Sequence, residues 1–144
     1  MDRQFIRLTL PATLDSLQAF LDFARAGADN AGLAQSDWEK LELVLEELLV
    51  NVARYAYQPE SGAVELGYAV EGPGILTLEI SDTGRVFNPL EQPVPDLSAG
   101  LFDRPIGGLG LFLVRSLTNS LAYRREEGRN TVSFRVPGPA RPGT

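Results

Sequence analysis

The sequence predicts an α+β fold in which three main helices pack on one face of a mostly antiparallel sheet, as a two-layer sandwich. Apolar residues recur at helical spacing in three segments, and five other segments are rich in strand-forming residues. Four of those five strands come in pairs separated by short turn-forming stretches. Such pairs form antiparallel hairpins, whose apolar face has to be covered by the helices.

The first part of the chain contains one strand followed by two helices. Strand formers over residues 5–10 end at a proline, and apolar residues at helical spacing over residues 14–26 predict a first helix that ends near a glycine. Ser36 and Glu39 have the spacing of a capping box, so a second helix is predicted over residues 37–57, before another proline.

The rest of the chain contains two hairpins separated by a loop and a helix. The loop is rich in proline and shows little periodicity, and a loop of this length in a compact domain is usually functional or disordered, so we interpret it as a lid. The predicted elements are a hairpin of residues 64–70 and 75–81, a lid between Gly84 and Gly107, a third helix over residues 111–117 and a hairpin of residues 122–125 and 131–136. We expect a single domain over residues 1–137 and a flexible tail over residues 138–144.

Composition excludes several classes of function. The chain has 144 residues, a net charge of -6, and neither cysteine nor histidine. An acidic chain lacks the basic field that binds nucleic acid, so no nucleic-acid partner is expected. Thiolate and histidine chemistry are also excluded, which leaves carboxylates for any catalysis. The sequence has no apolar signal or membrane segment, so we expect a cytoplasmic protein with no membrane partner.

The second helix carries a polar stripe bordered by apolar residues. Glu47 and Asn51 are four residues apart and therefore emerge on the same face of the helix. A carboxylate can accept a proton, and the neighbouring amide oxygen can bind a hard cation such as Mg²⁺. The alternative is a buried hydrogen-bond network of Glu47, Asn51 and Arg54 that only stabilises the helix.

A carboxylate follows the apolar residues of the third predicted strand. Strict alternation places Asp82 on the same face as Leu76, Leu78 and Ile80, where it needs a hydrogen-bond donor. The amino group of a bound heterocycle is one such donor, and Gly84 would let a ligand approach the backbone. The alternative is a turn in which Asp82 bonds its own backbone.

Glycines open the third helix. The segment Gly107, Gly108, Leu109, Gly110 would expose backbone N–H groups to an anion, assisted by the helix dipole. It lacks the lysine and hydroxyl residue of a P-loop and the third glycine of a dinucleotide-binding motif. The alternative is a hinge that also caps the helix. Three arginines near the last turn are interpreted as a solvated charged surface, namely Arg124, Arg125 and Arg129.

The order of these motifs resembles that of the GHKL, or Bergerat-fold, ATPases. Within them the chain is similar to the anti-sigma-factor serine kinases of the RsbW type, and the resemblance covers nearly the whole chain. It rests on Glu47-x-x-x-Asn51, on Asp82-x-Gly84, on a glycine-led helix after a lid, and on a threonine, Thr131, in a late strand. It extends to the segments 87–89, 110–114 and 123–125.

The resemblance implies a role for each matching residue. Glu47 would be the general base and Asn51 would coordinate Mg²⁺. Asp82 would accept a hydrogen bond from the adenine amino group of ATP, with Gly84 lining the pocket. The resemblance further implies phosphate binding by Gly107, Gly108, Leu109 and Gly110, and support of the adenine end by Thr131. Two positions depart from the family pattern, Tyr55 where histidine is frequent and Val86 where a second glycine is usual.

The resemblance also implies partners. It describes a homodimeric, ATP-dependent protein serine/threonine kinase that binds a sigma factor and phosphorylates a STAS-type anti-anti-sigma protein. A second interpretation uses the same pocket as a non-catalytic switch, in which nucleotide changes the affinity for a partner and no phosphate is transferred. Glu47 favours the kinase, because nucleotide binding alone needs no base at that position.

Overall fold

The computed structural model describes residues 4–57, 60–91 and 108–139. Its elements in chain order are β1 (Ile6–Pro11), a 3₁₀ turn (Leu14–Ser16), α1 (Leu17–Ala31), α2 (Gln35–Tyr55), β2 (Ala63–Gly72), β3 (Ile75–Asp82), a second 3₁₀ turn (Pro89–Glu91), α3 (Gly108–Leu117), β4 (Asn119–Glu126) and β5 (Arg129–Val136).

The strands form one antiparallel sheet in the order β1-β2-β3-β5-β4. The last strand, β5, therefore lies between β3 and β4 and not at an edge. Its register with β3 places Asp82 directly opposite Asn130. The topology thus brings the ends of two distant segments side by side on the sheet.

The helices cover one face of this sheet and bury its apolar residues. The apolar residues of α2 that face the sheet are buried, from Trp38, 7% exposed, to Leu41 and Leu45, 0% exposed. They pack on the alternating apolar residues of the central strands, such as Leu78 and Phe134. The predicted α+β two-layer sandwich, with three helices on one face of an antiparallel sheet, is confirmed.

The opposite face of the sheet carries ion pairs between neighbouring strands. Glu65 lies 3.2 Å from Arg7 and 3.8 Å from Arg129. Glu79 lies 3.7 Å from Arg7 and 3.8 Å from Arg124. Each glutamate therefore lies between two arginines, and the row of alternating charges crosses the sheet.

The first helix continues past the glycine at which it was predicted to end. Gly27 is helical and buried, and α1 ends at Ala31, followed by Gly32 in a left-handed conformation with φ of 72°. A Cβ at Gly27 would lie 2.8 Å from ring atoms of Tyr68. Gly27 is therefore a packing site for the Tyr68 ring and not a helix stop.

The predicted capping box of α2 is wrong. The helix begins at Gln35, its N-cap is Ala34, and no side chain caps it. Arg25 of α1 instead donates to Gln35 at 2.9 Å and its guanidinium stacks 5.2 Å from the centre of the Trp38 ring. Contact with α1 thus anchors the first turn of α2.

The predicted lid lies only partly within the described residues. Residues up to Glu91 are described, while residues 92–107, with Gly107, lie outside them, as does the predicted tail from residue 140 onward. In the ranges that the structure describes, none of the helices is long and apolar enough to cross a membrane.

Candidate functional site

The site begins at the end of β3, where Asp82 lies on the apolar face of the sheet and is only 4% exposed. The backbone N–H of Gly84 donates to Asp82 Oδ1 at 2.9 Å, and the side-chain amide of Asn130 donates to the same oxygen at 2.9 Å. The turn in which Asp82 bonds its own backbone, predicted as the alternative to ligand binding, is therefore present. Asn130 of β5 adds a second donor. Among the described residues, none donates to Asp82 Oδ2.

Asn130 is buried and uses every hydrogen-bonding position of its amide. Its Nδ2 donates to Asp82 at 2.9 Å and to the Arg85 carbonyl at 2.8 Å. Its Oδ1 accepts from the Tyr123 hydroxyl at 2.6 Å and from the Phe87 N–H at 3.3 Å. Turning the amide over would place its oxygen against two acceptors, so these partners fix a single orientation.

The Tyr123 hydroxyl is held in its protonated form. Burial is the main reason that the pKa of Tyr123 is raised above its ordinary value, and the charges of Asp82 and Glu91 act in the same direction against the opposing effect of Arg125. The hydroxyl therefore keeps its proton at neutral pH and remains a donor to Asn130.

The loop after β3 is held from both sides. On one side Gly84 packs so closely that a Cβ would overlap the Ala56 carbonyl oxygen. The Arg85 N–H donates to this same oxygen at 3.0 Å. Arg85 Nε donates in addition to the Tyr55 carbonyl at 2.8 Å. On the other side Arg125 of β4 donates to the Gly84 carbonyl at 2.9 Å. The structure thus fixes the position of Gly84 beside Asp82.

The second part of the site lies on α2. Asn51 is 5% exposed, and its Nδ2 donates to Glu47 Oε1 at 3.3 Å. Of the network predicted as an alternative, the described residues show the bond between Asn51 and Glu47 and no bond from Arg54 to either of them. The amide nitrogen of Asn51 is bonded to Glu47, and among the residues described none donates a hydrogen bond to Asn51 Oδ1. This oxygen is therefore open to a ligand.

The first turn of α3 contacts this pair. A Cβ at Gly110 would overlap the Glu47 carboxylate, so a larger residue at this position would displace the carboxylate from the end of α3. The N-terminal end of a helix dipole also favours a carboxylate nearby. The backbones of Gly108 and Leu109 belong to the same first turn, whereas Gly107 lies outside the described residues.

Thr131 is not brought to Asp82. It follows Asn130 in β5, so alternation turns its side chain to the other face of the sheet, where its hydroxyl lies 3.2 Å from the Ser81 hydroxyl. The residue that β5 places beside Asp82 is Asn130. Binding of the adenine end by Thr131 stays a prediction, but the structure gives Asn130 the contact with Asp82.

The two departures from the family pattern lie at the end of α2 and in the loop after β3. The Tyr55 ring packs on Phe87 with centroids 5.6 Å apart. Val86 is 70% exposed. Both therefore contribute to the surface beside the site, and neither contacts Asp82 among the described residues.

Sequence reasoning missed three side chains of the site, namely Asn130, Tyr123 and Arg125. Asn130 alternates with apolar residues of β5 in the same way that Asp82 does in β3, and this signal was present in the sequence. The interpretation of Arg125 as solvated surface is wrong, because it donates to the Gly84 carbonyl. Tyr123 belongs to the resembling segment 123–125, but its contact with Asn130 depends on the pairing of β4 with β5.

A surface cavity of about 690 Å³ lies away from these residues, at the start of β2. It is lined by residues such as Leu10, Ala53 and Tyr57, and it contains neither Glu47 nor Asp82. Its volume is therefore no guide to the chemistry, which depends on where the carboxylates and amides lie.

Comparison with known domain families gives the class of this protein. The profile of the histidine kinase-like ATPase domain matches residues 10–136, which is most of the chain. The chain belongs to this family.

Relatives with similar sequences include two serine-protein kinases of the same name. The serine-protein kinase RsbW of Bacillus thuringiensis strain Al Hakam is 27% identical over 132 residues, covering 88% of this chain and 81% of the relative. The protein of the same name from Bacillus mycoides strain KBAB4 is 26% identical over 132 residues.

One solved structure has the same fold. The crystal structure of the RsbU and RsbW domains of Rv1364c from Mycobacterium tuberculosis superposes with a TM-score of 0.63 over 96% of this chain, at 18% identity. The chain spans 34% of that protein, about a third of its length.

Proposed function

We propose that this protein is an ATP-dependent serine-protein kinase of the anti-sigma-factor type. The observation that carries the proposal is the contact of Glu47, Asn51 and the first turn of α3, which places a carboxylate, an amide and a helix N-terminus at one point. The name of the relatives, serine-protein kinase RsbW, supports the same activity.

The chain's own residues would act as follows. Glu47 accepts the proton of a substrate serine hydroxyl while the serine oxygen forms a bond to the γ-phosphorus of ATP. The bond between the γ-phosphorus and the β-phosphate oxygen breaks, and ADP is released. Backbone N–H groups of α3 offset the charge that accumulates on the transferred phosphoryl group. Gly110 allows this helix end to lie against Glu47.

The residues present fit a bound magnesium ion. The described residues contain no group of three or more acidic side chains that would bind a metal without nucleotide. Asn51 Oδ1 would be the protein ligand, and phosphate oxygens and water would complete the shell, as is usual for Mg²⁺ in kinases. When bound, the ion neutralises charge on the phosphates.

Asp82 would bind the other end of the nucleotide. Gly84 and Asn130 both donate to Oδ1, which leaves Oδ2 to accept from the amino group of adenine. The close packing of Gly84 against the end of α2 keeps the backbone beside this carboxylate free of side-chain atoms.

The proposed biology includes three protein partners. The substrate would be a serine of a STAS-type anti-anti-sigma protein, the regulated partner would be a sigma factor, and the kinase would act as a homodimer. The support for these partners is the resemblance to the serine-protein kinases of the RsbW type, in sequence at 27% identity.

The experiment that tests the proposal is Glu47→Gln. The substitution keeps the shape of the side chain and an oxygen near Asn51, so Mg-ATP affinity should change little. Phosphorylation of a cognate STAS serine should slow by ~10² to 10⁴, because the proton acceptor is lost. Binding is measured by calorimetry and transfer with labelled ATP, with Glu46→Gln as the matched control one residue away.

Two results would contradict the proposal. Transfer at the wild-type rate by Glu47→Gln would mean that Glu47 is not the base. If neither protein transfers phosphate while nucleotide still alters affinity for the partner, the non-catalytic switch is the correct function.

A further inference from the structure

We propose that Asn130, held by Tyr123, is the positioning residue that sets the base specificity of the nucleotide site. This inference rests on the proposed function, since it assumes that Asp82 accepts from the adenine amino group. The claim is that Asn130 fixes which oxygen of Asp82 is committed to the protein and which one remains for the base.

The first step is the orientation of the Asn130 amide. Its four hydrogen bonds leave no position unused, and only one orientation satisfies two acceptors on Nδ2 and two donors on Oδ1. The shortest of these bonds, at 2.6 Å, comes from the Tyr123 hydroxyl. Tyr123 therefore keeps Nδ2 of Asn130 turned toward Asp82.

The second step is the effect on Asp82. The amide of Asn130 and the N–H of Gly84 both end on Oδ1, each at 2.9 Å. Two donors on one oxygen hold the carboxylate plane in place at a residue that is 4% exposed. Oδ2 is then presented as a pure acceptor, which suits an exocyclic amino group and repels a carbonyl oxygen at the same place.

The third step is the loop that follows Asp82. Asn130 also binds the Arg85 carbonyl and the Phe87 N–H, so one side chain ties the strand end to the loop in three places. Other described bonds of the loop join Gly84 to Asp82, Arg85 to the end of α2 and Arg125 to Gly84, and none of these three reaches Phe87. Asn130 thus acts through Asp82 and the loop and does not need to contact the base.

The experiment compares ATP with inosine triphosphate, which has a carbonyl oxygen in place of the amino group. In Asn130→Ala the affinity for ATP should fall about tenfold, because one charge-assisted bond at Asp82 is lost, while that for inosine triphosphate should not fall. In Tyr123→Phe, which removes only a hydroxyl, the ratio of the two affinities should fall about two- to fivefold. Asn119→Ala is the control, since that amide belongs to the same hairpin and binds Pro137.

Hydrogen exchange without nucleotide gives a second readout. In Asn130→Ala the amide of Gly84, which donates to Asp82, should exchange at least about tenfold faster, while the amide of Arg85, bonded to Ala56, should keep its rate. A uniform loss of affinity for both nucleotides, or unchanged exchange at Gly84, would overturn the inference.

Failure of the proposed function would be separate from failure of the inference. If the wild-type protein does not distinguish ATP from inosine triphosphate, Asp82 does not accept from adenine and base specificity is not set here. The exchange rate of Gly84 then decides alone whether Asn130 positions Asp82.

Discussion

Asp82 is the residue whose chemistry follows most directly from its place in the strand. Alternation places it on a buried face, and two donors from the protein reach one of its oxygens. In the proposed site, an amide at this position would present either an oxygen or a donor to the base, so adenine binding there would need both the charge and the acceptor character of Asp82.

We therefore expect Asp82→Asn to lower ATP affinity by roughly ten- to a hundredfold while the fold survives, since a charge-assisted hydrogen bond contributes ~1.5 to 3 kcal/mol. Titration calorimetry measures the affinity, and circular dichroism checks the fold. Asp15→Asn, at an exposed position before α1, is the matched control. Equal ATP affinity for Asp82→Asn and wild type would show that Asp82 does not bind the nucleotide.

Tyr123 should make stability depend on alkaline pH. Burial raises its pKa in the folded protein, so above its ordinary value of about 10 the unfolded chain releases the proton first. The stability due to the hydroxyl is complete below pH 10 and is lost as pH rises through the folded-state pKa. The free energy of unfolding should therefore fall more steeply with pH above 10 in wild type than in Tyr123→Phe, in urea titrations. Parallel pH profiles would contradict this.

At the scale of single elements, α1 packs closely on β2 because Gly27 has no side chain. Gly27→Ala would push a methyl group into the ring of Tyr68, which is 5% exposed and packs on Phe23 at 5.0 Å. Overpacking of this kind costs ~1 to 3 kcal/mol, against a gain of ~1 kcal/mol in helix propensity.

We expect Gly27→Ala to lower the free energy of unfolding in wild type and to raise it in the Tyr68→Ala background, where the overlap is absent. Urea unfolding of the four proteins measures both effects. An equal loss in both backgrounds would show that Tyr68 is not the cause.

The elements also show which features the sequence alone predicts. The inner face of α2 and the alternation of β3 follow from periodicity, because burial acts on every turn of a helix and every second residue of a strand. The end of α1 and the start of α2 were wrong, because the contacts of Gly27 with Tyr68 and of Arg25 with Trp38 outweigh local signals. Alternation in β5 was a signal for burial of Asn130, but its contact with Asp82 depends on the register of β3 with β5, which the sequence does not show.

At the scale of the whole molecule, alternating charges lie on the sheet face opposite the helices. Glu65 has a side chain that is 20% exposed and lies between Arg7 and Arg129, so removing its charge leaves two arginines facing a neutral group. Pairs at exposed positions usually contribute ~0 to 1 kcal/mol, and salt weakens them.

We expect Glu65→Gln to lower the free energy of unfolding by about 1 kcal/mol at low salt and by less at high salt, as measured by urea unfolding at two salt concentrations. Glu126→Gln is the matched control, because its side chain is 73% exposed beside Arg124 and should change stability little. A loss that does not depend on salt would mean that Glu65 acts through packing.

The position of β5 between β3 and β4 has a consequence for synthesis on the ribosome. While the chain emerges, β3 has a partner only on the side of β2, and its other edge stays open until residues 129–136 have left the exit tunnel. An open apolar strand edge is a target for chaperones and for association with other chains. Asn130 arrives with this same strand, so the nascent chain gains its central β-sheet pairing and the second hydrogen bond to Asp82 in one late step.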